Sequence, residues 1–401
     1  MSPASAISAG RSFYAPRFEI VIDGQAFEPY ATRDVLEVTY ADSLTELEYF
    51  EFTLNDWDPV RNAPKYSSPY DETGSPVQDG AGGTITPIEP GMTAELSLGY
   101  YGPEDIVPKL SGTVVSITPS FPDTGMPQMK VRVLSELFTL QKEQLTREFI
   151  DMTDTAIAQS LAGDLGLEVA TTPGQEAGET PVEFLQMNNE YPINFLMRRA
   201  RLLGYDVAIL SEVDPSLGLT VTGASDDGKV LFFGPSDPDQ PVYDLAWGKT
   251  LASFNIAVRV KEQVSRVTVK STNPALPAGQ QEIEAEATLD DLDLDFPDPR
   301  LLDTMTEALT SAAEVVVDEP VQNQAEADAK ALGILRERVK DMVTAEGSTV
   351  GFPDLRAGRV IEVTGVGARY SGRWVLTKTT HKLDSTGYTT KFNCRLEGSL
   401  P

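Results

Sequence analysis

Apolar and polar residues alternate along the first third of the chain with the period of a β-strand. Phe50, Phe52 and Leu54 fall on one face and Tyr49, Glu51 and Thr53 on the other, the pattern of a sheet packed on one side and wetter on its second. Similar runs at Phe18–Ile22, Val35–Tyr40, Tyr49–Leu54, Thr93–Tyr100, Gly112–Ile117 and Met129–Leu134 predict a β unit over residues 1–148, with Asp23-Gly24 as a tight turn after the first strand. From Asp58 to Gly91 the periodicity lapses into Pro, Gly, Ser and Asp. Residues 58–91 are therefore expected to loop out of the sheet as a surface contact or a flexible insertion.

The period then becomes helical. Ile157, Leu161 and Leu165 recur every four residues after Thr153 or Asp154 as N-cap, with Gly166 as the stop. A second amphipathic helix starts at Pro192, aligns Ile193, Leu196, Ala200 and Leu203, and ends at Gly204. A β-rich run follows from Tyr205 to about Thr288. A third helix is expected over Asn323 to Val343, with Leu332, Leu335, Val339 and Met342 aligned and Glu326 four residues before Lys330. Strands at about Arg359–Gly365, Arg373–Leu383 and Tyr388–Leu396 close the chain. The glycines at 351, 358, 365, 367, 372 and 387 are read as turn formers or positive-φ positions between them.

Size and charge narrow the class. At 401 residues the chain exceeds one ordinary core, so two or three domains are expected. With 61 acidic and 32 basic residues the formal net charge is −29, which repels phosphate and argues against direct nucleic-acid recognition or docking on an anionic membrane. No 18 apolar residues run together and no basic n-region followed by an apolar h-region opens the chain, so it is expected neither to be exported by a classical signal nor to span a membrane. The single cysteine, Cys394, leaves no intramolecular disulfide and no cysteine-based zinc cluster, in keeping with a reducing compartment.

Candidate chemistry is sparse. The one histidine, His381, lies within the strand-like run Trp374 to Leu383 and reads as a packing or hydrogen-bonding residue, not the pivot of a triad or metal site. Gly365-Val366-Gly367-Ala368-Arg369-Tyr370 begins like a dinucleotide fingerprint but has Tyr370 where the third glycine belongs. The acidic stretch Asp290-Asp291-Leu292-Asp293-Leu294-Asp295 lacks the Gly and the final Glu of a calcium loop, and reads as a solvated loop. No catalytic, cofactor-binding or metal-ligating residue is assigned, and no cofactor is expected.

The C-terminal run Gly351-Phe352-Pro353-Asp354-Leu355-Arg356-Ala357-Gly358-Arg359-Val360, then Gly365-Val366-Gly367, Tyr370-Ser371-Gly372, His381 and Gly387-Tyr388-Thr389-Thr390, resembles the phage late control D family. Proteins of that family are baseplate hubs of contractile tails, related to the hub part of VgrG in type VI secretion. Pro16-Arg17-Phe18 with Asp23-Gly24, Gly99-Tyr100 with Gly112-Thr113-Val114, Asn194-Phe195-Leu196 through Gly204-Tyr205, and Trp247-Gly248-Lys249 through Ser253-Phe254 follow in the same order. The resemblance implies a β-rich α+β fold of two tandem tail-tube-like β-barrel domains with an intervening smaller α/β segment. The first barrel would span 1–148, the α/β segment 149–245 and the second barrel 246–401, with an acidic loop and helix inserted at 289–343. It further implies a homotrimer that joins a hexameric inner tail tube protein to a trimeric central spike, beside other baseplate proteins in a virion or injection particle. Because the sequence stops at Pro401, the spike is expected to be a separate chain. A peptidoglycan-degrading tail enzyme and an unrelated β-sandwich binding protein are the alternative readings.

Overall fold

The computed structural model describes residues 15–396 apart from residues 45, 72, 76, 79–84, 86, 102–105, 136–140, 142, 165, 204, 211–217, 224, 226–229, 236–242, 260–263, 275–276, 278–280, 293–299, 301–306, 308–312, 318–320, 322 and 341. Leu165, Gly204 and the second half of the acidic stretch thus lie outside the described residues. The first unit comprises β1 (Pro16–Ile22), β2 (Gln25–Ala26), α1 (Pro29–Asp34), β3 (Val35–Ser43), β4 (Tyr49–Asn55), β5 (Trp57–Asp58), β6 (Ala63–Pro64), β7 (Thr93–Tyr100), β8 (Val107–Ser120) and β9 (Gln128–Ser135). The middle unit follows as β10 (Leu145–Met152), α2 (Asp154–Gly163), β11 (Glu168–Thr171), α3 (Gln175–Gly178), β12 (Val182–Glu190), α4 (Pro192–Leu203), β13 (Asp206–Leu210), β14 (Thr220–Thr222) and β15 (Val230–Gly234). The last unit has β16 (Tyr243–Ala246), β17 (Leu251–Val258), β18 (Arg266–Thr272), β19 (Glu282–Thr288), β20 (Ala313–Val316), α5 (Gln324–Lys340), β21 (Val343–Val350), β22 (Val360–Thr364), β23 (Gly372–Asp384) and β24 (Gly387–Leu396).

The first and last units share one 13-stranded sheet, in the order β17-β21-β24-β23-β3-β4-β9-β8-β7-β1-β2, with β22 on β23 and β16 on β22. Two tandem barrels were expected; among the described residues the ladder runs open and closes no barrel. The strand that joins the halves is β23. One edge pairs with β24 along nearly its whole length, while the other is divided, Gly372 to Val375 against β22 and Lys378 to Asp384 against β3. A register shift between Leu376 and Lys378 falls where the partner changes, because an extra residue bends and twists a strand.

Each half keeps its own core. Ile20, Tyr40, Phe50, Phe52, Leu96 and Val131 fill the first, and Tyr388 from the far end of the chain joins them. The alternation read from Phe50, Phe52 and Leu54 holds, with all three at 1% exposure or less. Residues 58–91 do more than loop out. Tyr66, Ile85 and Ile88 are buried in this core, and the buried Asp56 accepts the backbone N–H groups of Tyr66 at 2.6 Å and Ser67 at 3.1 Å.

The middle unit packs α2 and α4 around Phe149, Ile157, Leu161, Phe195 and Phe233. Thr153 caps α2 by accepting from Ala156 N at 3.1 Å. Segments β18 and β19, expected in the second barrel, instead form a three-stranded sheet with β20 and carry α5 on one face. The buried stripe of α5 is Ala327, Ala331, Leu335 and Val339, whose alanines let the helix lie close to the sheet, so the stripe read from Leu332 is turned slightly. Asp291 accepts from Thr288 N at 2.7 Å and Oγ1 at 2.8 Å, which makes the described start of the acidic stretch a turn cap. No described helix is long and apolar enough to cross a membrane.

Gly387 opens β24 at φ +124°, a conformation that strains a β-branched residue. Gly387→Val is expected to cost about 1–3 kcal/mol in urea unfolding. Because Tyr388 sits in the first core and β23 pairs with β3, hydrogen exchange in the variant is expected to rise in both halves of the sheet.

Candidate functional site: a buried ionic strap across the seam

The segment Gly351 to Gly358 crosses the face of the β23–β3 seam as a strap. Its first residue has no room for a side chain, since a Cβ on Gly351 would lie 2.1 Å from the Tyr388 ring. Gly351 N donates to Tyr388 O at 2.9 Å, and Tyr100 OH, from β7, donates to Gly351 O at 2.9 Å. Phe352 N donates to Thr390 Oγ1 at 3.1 Å, and Gly358 N returns to Leu376 O at 2.8 Å. The Tyr100 and Tyr388 rings stand 5.6 Å apart. Five steps separate β3 from β1 along the sheet order, yet the strap touches β3, β8 and β7 together. The first half is therefore curled, and its gap is bridged by the strap and these rings in place of a backbone ladder.

Beneath the strap lies a buried group of charges. Arg356 Nη2 donates to Tyr40 OH at 2.7 Å, Glu48 Oε2 at 3.1 Å and Lys109 O at 3.3 Å, and Arg356 Nε lies 3.6 Å from Asp42 Oδ2. Asp42 also accepts from Ala357 N at 2.9 Å and from the Thr379 hydroxyl. Asp42, Glu48 and Lys109 are 2%, 5% and 0% exposed. Lys109 Nζ meets no hydrogen-bond acceptor among the described residues and lies 5.7 Å from the centre of the Tyr40 ring.

Burial sets the protonation of this group. Desolvation lifts the Glu48 carboxyl to about 7, against the pull of Arg356. Desolvation, with repulsion from Arg356, lowers the Lys109 ammonium to about 7. Burial opposes the charge on Arg356, but Tyr40, Glu48 and Asp42 outweigh it and hold the guanidinium above its ordinary range.

His381 sits opposite Tyr40 on β3 and Thr390 on β24. Its Nε2 lies 2.8 Å from Leu355 O, an acceptor only, so Nε2 carries the proton and Nδ1 accepts from Tyr388 OH at 2.8 Å. Thr390 Oγ1 is 3.2 Å from the same nitrogen. Burial, aided by Lys109, pushes its pKa well below the usual imidazole value and keeps the ring neutral. The sequence placed His381 in a strand as a hydrogen-bonding residue, and that is its position. Asp42, Glu48 and Lys109 were not foreseen, and Arg356 was seen only within the Gly351 to Val360 run. Nothing in local periodicity marks a lysine that is buried from a distance of 247 residues along the chain. Chemically the group can hold and position, but its carboxylates are sealed from any substrate.

Residues 85–385 match the family model described as the Alg8 N-terminal domain. No curated protein matches the chain. The fold is similar to that of the 43 kDa tail protein of prophage MuSo2 from Shewanella oneidensis, at TM-score 0.65 and 15% identity over 95% of this chain and 98% of that one. It is similar also to a tail protein from Neisseria meningitidis MC58, at TM-score 0.63 and 13% identity over 96% and 98%. An Escherichia coli component of the type VI secretion system, itself described as similar to bacteriophage T4 tail proteins, aligns at TM-score 0.51 and 12% identity over 95% and 79%. The β-rich fold expected from the resemblance is thus observed as a fold similar to that of phage tail proteins, without two closed barrels.

The buried pair dictates an unusual pH profile. Between 4.5 and about 7 folded Glu48 keeps a proton that the unfolded chain has released, so its contribution to stability falls as pH rises. Between about 7 and 10.5 folded Lys109 has released a proton that the unfolded chain keeps, so stability rises with pH. Urea unfolding at pH 5, 7 and 9 is expected to show a dip near neutrality. Glu48→Gln should flatten the acid limb and Lys109→Met the alkaline limb, each by about 2–3 kcal/mol.

Proposed function

The chain belongs to the Alg8 N-terminal domain family, and from its likeness in fold to phage tail proteins we propose that it is the structural hub of a contractile tail or contractile injection system. In this reading three copies form an adaptor between a hexameric inner tube and a trimeric central spike, with other baseplate proteins around it. The observation that carries the reading is the unbroken sheet through both halves of the molecule. Two cores are held side by side by β23 and β24, and in this reading each presents one face at a fixed setting. Three subunits would then offer six faces to a tube and three to a spike, which is the symmetry conversion an adaptor needs.

In this reading each half serves as a barrel-like unit. The first half is curled, with Tyr100, Tyr388 and Arg356 spanning its opening. Such a hub works mechanically and carries out no reaction, which suits a site whose carboxylates are bound to Arg356, Ala357 N and Thr379. The net charge of −29 fits a surface that rejects nucleic acid, and the protein would be made in the bacterial cytoplasm and built into the particle.

Light scattering at micromolar concentration, with and without the spike protein, tests the adaptor role. A trimer is expected, strengthened by added salt because like-charge repulsion between acidic subunits is screened. A stable monomer that the spike fails to trimerise would overturn the reading.

His381→Asn is expected to weaken the seam without touching any chemistry. Leaving Leu355 O unpaired should cost about 1–3 kcal/mol in urea unfolding. That loss is larger than the near-neutral exchange expected of a histidine that merely packs.

A further inference from the structure

The edges of the sheets differ in how they are protected. A free edge is a template for another strand, and folded proteins blunt it with charge, proline or shortness. Here β2 and β14 have two and three residues, β19 exposes Glu282, Glu284 and Glu286, β20 holds Glu314 and β13 holds Asp206. In contrast β17, which ends the 13-stranded sheet, runs for eight residues as Leu-Ala-Ser-Phe-Asn-Ile-Ala-Val with no charge and no proline.

Its hydrogen-bonding direction can be read from the register. Arg259 N donates to Met342 O at 2.9 Å, and Ala257 and Asn255 pair with Thr344 and Glu346. Backbone groups alternate along a strand, so those of residues 255, 257 and 259 face β21 and those of Phe254, Ile256 and Val258 face outward. Among the described residues no backbone hydrogen bond reaches these outward groups.

A second feature lies beside this edge. A cleft of about 670 Å³ opens over the face that carries Asn255, Ala257 and Arg259, roofed by Met197, Tyr205 and Val207 of the middle unit. Its charged side chains are Arg259, Lys378 and Arg395 against Glu46 and Glu346, a positive balance in a chain of net charge −29. Lys378 is paired with Glu46 at 2.5 Å, whereas Arg259 Nη1 bonds the neutral Thr344 hydroxyl at 2.9 Å.

We propose that β17 is a strand-addition site that takes an extended segment of a partner polypeptide bearing a carboxylate opposite Arg259. The outward groups of Phe254, Ile256 and Val258 supply the ladder, and every second side chain of the added strand enters the cleft between Arg259 and the roof. Backbone pairing gives the affinity, and the positive cleft selects the acidic strand.

The test uses the full chain and fluorescein-labelled nine-residue peptides of alternating Thr and Val whose central Thr is replaced by Glu or by Lys. Anisotropy titrations are expected to show the Glu peptide binding at least about tenfold tighter than the Lys peptide. Val258→Pro deletes one outward N–H without breaking the ladder to β21, and should abolish binding at an unchanged melting temperature. If that variant does not fold, Val258→Lys guards the edge with charge and should do the same. Arg259→Glu should reverse the order of the two peptides. Failure of the Glu peptide to bind, or equal binding to a folded edge variant, overturns the proposal. Self-association that an edge variant abolishes, without peptide binding, would assign the edge to a second copy and overturn it as well. Because the readout is peptide binding, it is independent of whether three copies form an adaptor.

Discussion

Arg356 binds together pieces of chain that are far apart in sequence, and the rest of the seam is arranged around keeping its charge. A guanidinium out of water is costly unless acceptors surround it, and here Tyr40, Glu48, Asp42 and the Lys109 carbonyl do so. Buried ion pairs of this kind add little net stability, because desolvation offsets most of the attraction. Removing one partner is a different matter, since it strands the other charge. The cluster therefore acts on uniqueness: the strap can lie across the seam in one register, with Arg356 over Glu48 and Ala357 N on Asp42.

That register matters because the seam is made by strands whose own contacts are split. The first third of β23 belongs with β22 and the last core, while its second half belongs with β3 and the first core. Bending between the two allegiances falls at the register shift beside Leu376 and Lys378. Tyr388, one hairpin later, completes a core built almost wholly from residues before position 135. The two halves are thus coupled through shared strands and a shared side chain as well as through the strap, and loss of one exposes part of the other.

The sequence by itself determined the local elements. Alternation at Phe50, Phe52 and Leu54, the Thr153 cap and the helical spacing of Leu335 and Val339 are properties of neighbouring residues, and strands and helices follow from them. The recurring glycine and turn pattern also carried the tail-protein fold. It placed Gly387 at a positive φ and His381 in a strand, and both are found so. Tertiary structure alone decided what those elements joined. Whether β23 pairs with β3, whether β18 and β19 leave the large sheet to carry α5, and whether Tyr66, Ile85 and Ile88 return from a loop to the core depend on shape and hydrogen bonding between distant segments. Lys109 illustrates the limit. Between Pro108 and Leu110 nothing in its neighbours marks it, and it is buried where a strap from 247 residues later folds over it. Periodicity reports the environment a residue shares with its neighbours in sequence, and that burial comes from none of them.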